Sequence, residues 1–369
     1  MNGRIRFACA LLACLALPGA HAQPAGALGE DFIFRIRAGD TLIALATTYT
    51  GEASNWARLQ TLNRVADPQA LPIGLELHIP LSMIPMVTSA AQVVHVAGSA
   101  HMASAALRPG MTVPEGGEIR TGPDSFVTLR LSDATEVTVP PSTAILLERV
   151  RQFARVPLTD SIVRVQTGGV ESRVAPDGGG VGRFEIRTPV AVTGVRGTRF
   201  RVESSDQGAT QTVLEGRVRL QPHAPDAPPG TAAKAVVGVS AGQGARVAAD
   251  GSFAGVRPLL PAPVLGEPGR GGNVRIAVTP VPGAVAYEAR IARDPHGMHQ
   301  VAVHRYTLPE LSFTAPGPGT YYVGVSAIDA AGLRGLEAWR PFEGVNALTT
   351  TGGLPVQTAT GGVVTLSVF

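Results

Sequence analysis

Phe126-Val127-Thr128-Leu129-Arg130-Leu131-Ser132-Asp133-Ala134-Thr135-Glu136-Val137-Thr138-Val139 decides the reading of this chain. Val127, Leu129 and Leu131 alternate with Thr128 and Arg130, and Val137 and Val139 flank Thr138, which is the period of a half-buried strand. The same spacing recurs at Val163 and Val165 around Arg164. It continues through Phe184, Ile186, Phe200, Val202, Val213, Val218 and Leu220. Turns of Gly, Pro or Asp separate these runs. No convincing helix follows Leu81; Ala144 to Arg155 comes nearest, but its apolar residues do not hold one face. Composition agrees. Gly 44 and Pro 30 make about a fifth of the 369 residues, and charged residues are 16% against a usual ~25%. The expected fold class is mainly β and multidomain.

Basic residues number 31 against 28 acidic, near balance, which excludes nucleic acid as the partner class. Met1 to Ala22 begins with Arg4 and Arg6, runs apolar from Phe7 to Leu17, breaks at Pro18, and ends in Ala20-His21-Ala22. That is the pattern of a secretory signal peptide cleaved before Gln23. Leu11-Leu12-Ala13-Cys14 weakly resembles a lipobox, so acylation at Cys14 is the lesser alternative. Cys9 and Cys14 are the only cysteines, so the mature chain is expected to lack disulfides, thiolate metal sites and cysteine nucleophiles. No later stretch is long and apolar enough to span a membrane. Export to the periplasm or cell envelope is expected.

Residues 31–81 read differently. Phe32, Phe34 and Ile36 have strand spacing; Asp40 or Thr41 can cap a helix carrying Leu42, Leu45, Ala46 and Tyr49. Ser54 or Asn55 opens a second helix with Trp56, Leu59 and Leu62, and Leu75 to Ile79 returns as a strand stopped by Pro80. The order is βααβ. Gly39-Asp40-Thr41-Leu42, Ala46, Asn63, Pro68, Leu71, Gly74 and Leu77-His78-Ile79-Pro80 together resemble the LysM family over this whole module. The resemblance implies binding of N-acetylglucosamine-containing glycans, most often peptidoglycan. The implied groove lies between Gly39, Asp40, Thr41 and Leu42 on one side and Leu71, Pro72, Ile73 and Gly74 on the other. Asn63 reads better as a loop-satisfying residue than as a sugar contact. The Thr50–Ser54 link is longer than the family's common form, and a single copy gains nothing from avidity.

Between 92 and 257, Gly110, Gly116-Gly117-Glu118-Ile119-Arg120-Thr121-Gly122, Phe126 to Leu131 and Gly168-Gly169-Val170 are followed by Thr188-Pro189. Val195-Arg196-Gly197-Thr198-Arg199-Phe200 and Val213-Leu214-Glu215-Gly216-Arg217-Val218 complete the set. Together they resemble the FecR-type periplasmic domain family over about 92–222. That implies a β-solenoid-like stack, with a sandwich as the other option. Arg196 reads either as a turn-pairing residue or as a partner contact. Family members that relay signals use a cytoplasmic anti-sigma segment and a membrane helix, and neither is found in this sequence.

Residues 258–262 form a proline-rich junction. Beyond it, Pro280-Val281-Pro282-Gly283-Ala284 with Tyr287, and Gly319-Thr320-Tyr321-Tyr322 with Ala327-Ile328-Asp329, resemble a fibronectin type III-like sandwich over 263–347. Trp339 reads as a core or edge aromatic, and 348–369 as a tail. Gly238-Val239-Ser240-Ala241-Gly242 spells G-x-S-x-G, but a strand rather than a helix is expected after it, against the hydrolase elbow. His296, His299 and His304 read as a solvated turn rather than a metal site. No catalytic residue, metal or cofactor is expected. The expected function is that of a non-catalytic secreted envelope protein: it binds peptidoglycan through the first module and presents the β domains for structural or protein-interaction roles. A signalling or regulatory partner of an envelope receptor, acting through the FecR-type domain, is the alternative.

Overall fold

The computed structural model describes residues 27–28, 30–175, 181–195, 197–225, 236–269 and 273–345, with 356, 358 and 364. The expected leader 1–22 with both cysteines, Arg196, and nearly all of the tail lie outside the described residues. Three apolar cores organise the rest.

In the N-terminal module, strand Asp31–Arg35 pairs antiparallel with Glu76–Pro80, and Ala27–Leu28 adds a third strand. Helices Leu42–Thr50 and Trp56–Asn63 lie between them in sequence, joined through the short 3-10 turn Ala53–Asn55. Of the two cap candidates, Thr41 serves: its hydroxyl accepts from Ala44 N at 3.2 Å. Replacing Thr41 with alanine should cost about 1 kcal/mol of stability, read as a lower denaturation midpoint. Asn55 does not cap the second helix; its amide donates to Thr50 Oγ1 at 2.9 Å, tying down the long link. Leu42, Leu45, Ala46 and Leu59 join Phe34, Leu77 and Ile79 in the core.

The central body consists of two facing sheets over one core. The chain climbs through them in steps. Phe126–Arg130 and Glu136–Val139 pair in the first sheet, and Ala144–Phe153 pairs with Thr159–Arg173 in the second. Arg199–Ser205 and Gly208–Glu215 return to the first; Arg217–Pro222 and Val237–Ser240 return to the second. The 15-residue strand Thr159–Arg173 belongs to both: its first half pairs in the second sheet, and Gly168 to Arg173 pair with Arg199–Ser205 in the first. Apart from its parallel pairing with Val181–Arg187, the described pairings of the body are antiparallel. The ascent is that of a stack, and the two layers are those of a sandwich.

The C-terminal sandwich faces a pair, Asn273–Ala277 with Glu310–Thr314, against four strands. These four run in the order Gln300–Tyr306, Ala284–Ala292, Gly319–Asp329, Arg334–Gly344. The junction at 258–262 is fastened to both neighbours. Leu259 N donates to Gly242 O at 2.9 Å, and Leu336 N donates to Leu260 O at 2.9 Å.

Neither end unit is a free bead. Phe153, Val156 and Leu158 of the central body are buried in the N-terminal module's core. Arg155 donates to Thr47 O at 3.3 Å, and Arg183 bridges Asp160 of the body and Glu30. On the other side, Thr128 and Thr138 of the first sheet both donate to Met298 O at 2.7 Å. No helix among the described residues is long and apolar enough to cross a membrane.

Candidate functional site

The two loops singled out in the N-terminal module stand side by side. Gly74 N donates to Ile36 O and Ile36 N to Leu75 O, both at 2.9 Å, while Leu42 N donates to Pro68 O at 3.1 Å. Asp40 closes its own turn, accepting from Arg37 N at 2.7 Å, and Leu75 N closes the second turn on Pro72 O at 3.1 Å. Gly39 and Gly74 sit at φ of +89° and +87°, a region where a Cβ is strained, so glycine sets both turns. Leu42 and Leu71 are buried and hold the loops from beneath. Gly39, Pro72, Ile73 and Gly74 face solvent, with Asp40 and Thr41 half-buried. Ile73 is 74% exposed and Ile43, one residue into the helix, is 45% exposed. Ile43 was missed in sequence because it lies off the helix's buried face. Two tight turns flanked by exposed aliphatic side chains suit a neutral ring with polar substituents better than a charged ligand.

Asn63 is structural. Its amide donates to Leu59 O and His78 O, and its oxygen accepts from His78 N at 2.7 Å, locking helix to strand. The body's contact at Thr47 and Gly51 lies in and just past the last turn of helix Leu42–Thr50, and Gly39, Pro72, Ile73 and Gly74 stay exposed beside it. Burial, with Asp40 adding to it, raises the Tyr49 phenol; its ring packs on Phe32 and Phe34.

A second constellation had no counterpart in the sequence reading. Glu171 of the central body accepts from Arg199 at 2.7 Å and Arg201 at 3.0 Å, and pairs with Arg290 of the C-terminal sandwich. Glu337 of the sandwich pairs with Arg199, Arg201 and Arg290. Arg334 of the sandwich bridges Glu203 of the body and Glu288. Four carboxylates face four guanidinium groups. Burial opposes ionisation of Glu171, yet Arg290, Arg201 and Arg199 hold it well below the ordinary carboxylate range. Glu337 is lowered against the same opposing burial by Arg201 and Arg290. Trp339 lies 5.5 Å from Arg290 and covers Gly324 and Gly297, as an edge aromatic does.

The other candidates separate. Ser240 ends strand Val237–Ser240 and strand Gln243–Ala248 follows after a short turn, so the G-x-S-x-G sits in a strand–turn–strand. Asp294 accepts from the amides of His296, Met298 and His299. His299 stacks on His95 and His304 on Phe313, which takes these two rings to different neighbours.

Residues 34–80 match the family model of the LysM domain, and residues 117–219 match that described as FecR protein. No curated protein matches the chain. Two crystal structures of a Parabacteroides distasonis protein given the name of an anti-sigma factor are similar, at 21% and 20% identity and a TM-score of 0.30 each. Each alignment covers 38% of this chain and 59% of that one, so the chain spans about three fifths of their length.

Proposed function

We propose that this chain is a non-catalytic envelope protein that binds an N-acetylglucosamine-containing glycan, peptidoglycan first among them. The glycan lies between Gly39–Leu42 and Leu71–Gly74. The observation that carries the reading is the pair of hydrogen-bonded loops with Pro72 and Ile73 exposed at their rim, within the span of the LysM match. Backbone polar groups of the turns outside the bonds that tie the loops together serve the acetamido group, and Pro72, Ile73 and Ile43 cover the ring faces. The leader 1–22 exports the chain, and the FecR-type body and C-terminal sandwich are presented to a protein partner. The strand order of the sandwich supports its fibronectin type III-like assignment. The FecR match over 117–219 favours a second, regulatory role for the body.

Sedimentation of the chain from Gln23 with insoluble peptidoglycan tests the glycan reading. Ile73→Asp should cut retention about tenfold, the effect of losing ~1.4 kcal/mol, with an unchanged melting curve because Ile73 is exposed. Equal retention of both proteins would overturn the assignment. Deleting the module is the poorer test, because it strips the cover from Phe153, Val156 and Leu158.

A further inference from the structure

A cleft of about 480 Å³ lies between the central body and the C-terminal sandwich, lined from both. That volume is within the ~300–1,000 Å³ usual for small-ligand sites. Its charges are not equivalent. Arg290 is buried against Glu171 and Glu337, and Arg334 is shared by Glu203 and Glu288. Arg246 is different. Its guanidinium donates to two neutral acceptors, Ala331 O and Gln207 Oε1, both at 3.2 Å. No carboxylate pairs with it among the described residues. Two of its five N–H donors are thus used by neutral groups, and the planar fork suits a carboxylate. Glu203 is the complement. Its side chain is 42% exposed and shares one guanidinium with Glu288. Ser205, Gln207 and Thr210 add hydroxyl and amide groups to the lining.

We propose that this interdomain cleft binds a short peptide by its free ends, the terminal carboxylate on Arg246 and the terminal ammonium on Glu203. The hydroxyl and amide groups of the lining serve the peptide bonds. A phosphate would also seek Arg246, but Glu203 and Glu288 oppose a dianion, whereas a zwitterion satisfies both signs. The site goes beyond the glycan groove and is independent of it.

Trialanine is the probe, titrated by calorimetry into the chain from Gln23, beside its C-terminal amide and its N-acetyl form. Saturable binding of trialanine is expected below about 10 mM, with each blocked form about tenfold weaker. Arg246→Met should weaken trialanine about tenfold and erase its preference over the amide. Ser205→Trp fills the cleft without touching the buried ion pairs and should abolish binding at an unchanged melting temperature. Ile73→Asp should bind trialanine as the parent does, which separates this site from the glycan reading. Absence of saturable binding by the parent chain overturns the proposal. So does an affinity unaltered by amidation, by N-acetylation or by Ser205→Trp.

Discussion

Glu171→Ala is expected to destabilise the protein by about 3–5 kcal/mol, because it leaves buried guanidinium groups without their counter-charge. Arg201 and Arg290 are each only 2% exposed, and both pair with Glu171. Glu337 alone would then face Arg199, Arg201 and Arg290. Trp339, beside Arg290, gives a fluorescence signal at the interface, and Trp56 gives one in the N-terminal module. Denaturant unfolding followed at Trp339 should therefore shift far more than in a surface control. Glu171→Ala combined with Arg290→Ala should cost less than the sum of the two, because the second change removes a charge the first had orphaned. A loss under about 1 kcal/mol, the value of an exposed pair, would mean that water reaches these charges in solution. The pH dependence has a definite sign. Glu171 and Glu337 both have folded values below the ordinary one. Their contribution is therefore fully present above about pH 4.3, the unfolded value. It is lost as pH falls through the lower folded values, so acid should loosen the sandwich from the body.

Phe153→Ala should cost a further about 3–5 kcal/mol, the range for emptying a buried phenylalanine site. Phe153 ends a strand of the central body, yet it is buried in the core of the N-terminal module with Val156 and Leu158. The cavity would open at the seam. The expected outcome is a module that unfolds before the body, seen as an early change at Trp56 and a later one at Trp339. A single transition at the parent's midpoint would show that the module does not depend on this contact.

Both effects arise at places where the sequence carries a signal whose meaning depends on a neighbour. Arg199, Arg201 and Glu203 alternate with Phe200 and Val202, and Glu288 and Arg290 alternate with Ala289 and Ile291. By period alone the charged positions face outward, toward water. In the fold they do face out from their own cores, but the outward face of one sheet is covered by the outward face of another. A stripe carrying both signs of charge on each of two strands was the available clue. It gives no pairing, because alternation fixes the face of a residue and not what covers that face.

The groove was more legible. Gly39, Gly74 and Thr41 work through local geometry, two turns and a cap, and local geometry is written in neighbouring residues. Ile43 and the buried status of Leu71 depended on how the helices sit on the sheet. Likewise, Val163 and Val165 announced a strand, but not that Thr159–Arg173 would run through two sheets, since hydrophobic period is the same in either layer.

By itself, then, the chain's order of residues determined the mainly β character, the βααβ module with its capped helix and glycine turns, and the inward-facing residues of each strand. These depend on backbone preference and on period, which act over a few residues. The tertiary structure alone decided that the three units share seams: one lined by Phe153, Val156 and Leu158, the other by four carboxylates and four guanidinium groups. Burial of a charge or of a ring at a seam depends on a surface far away along the chain, and no local pattern encodes that distance.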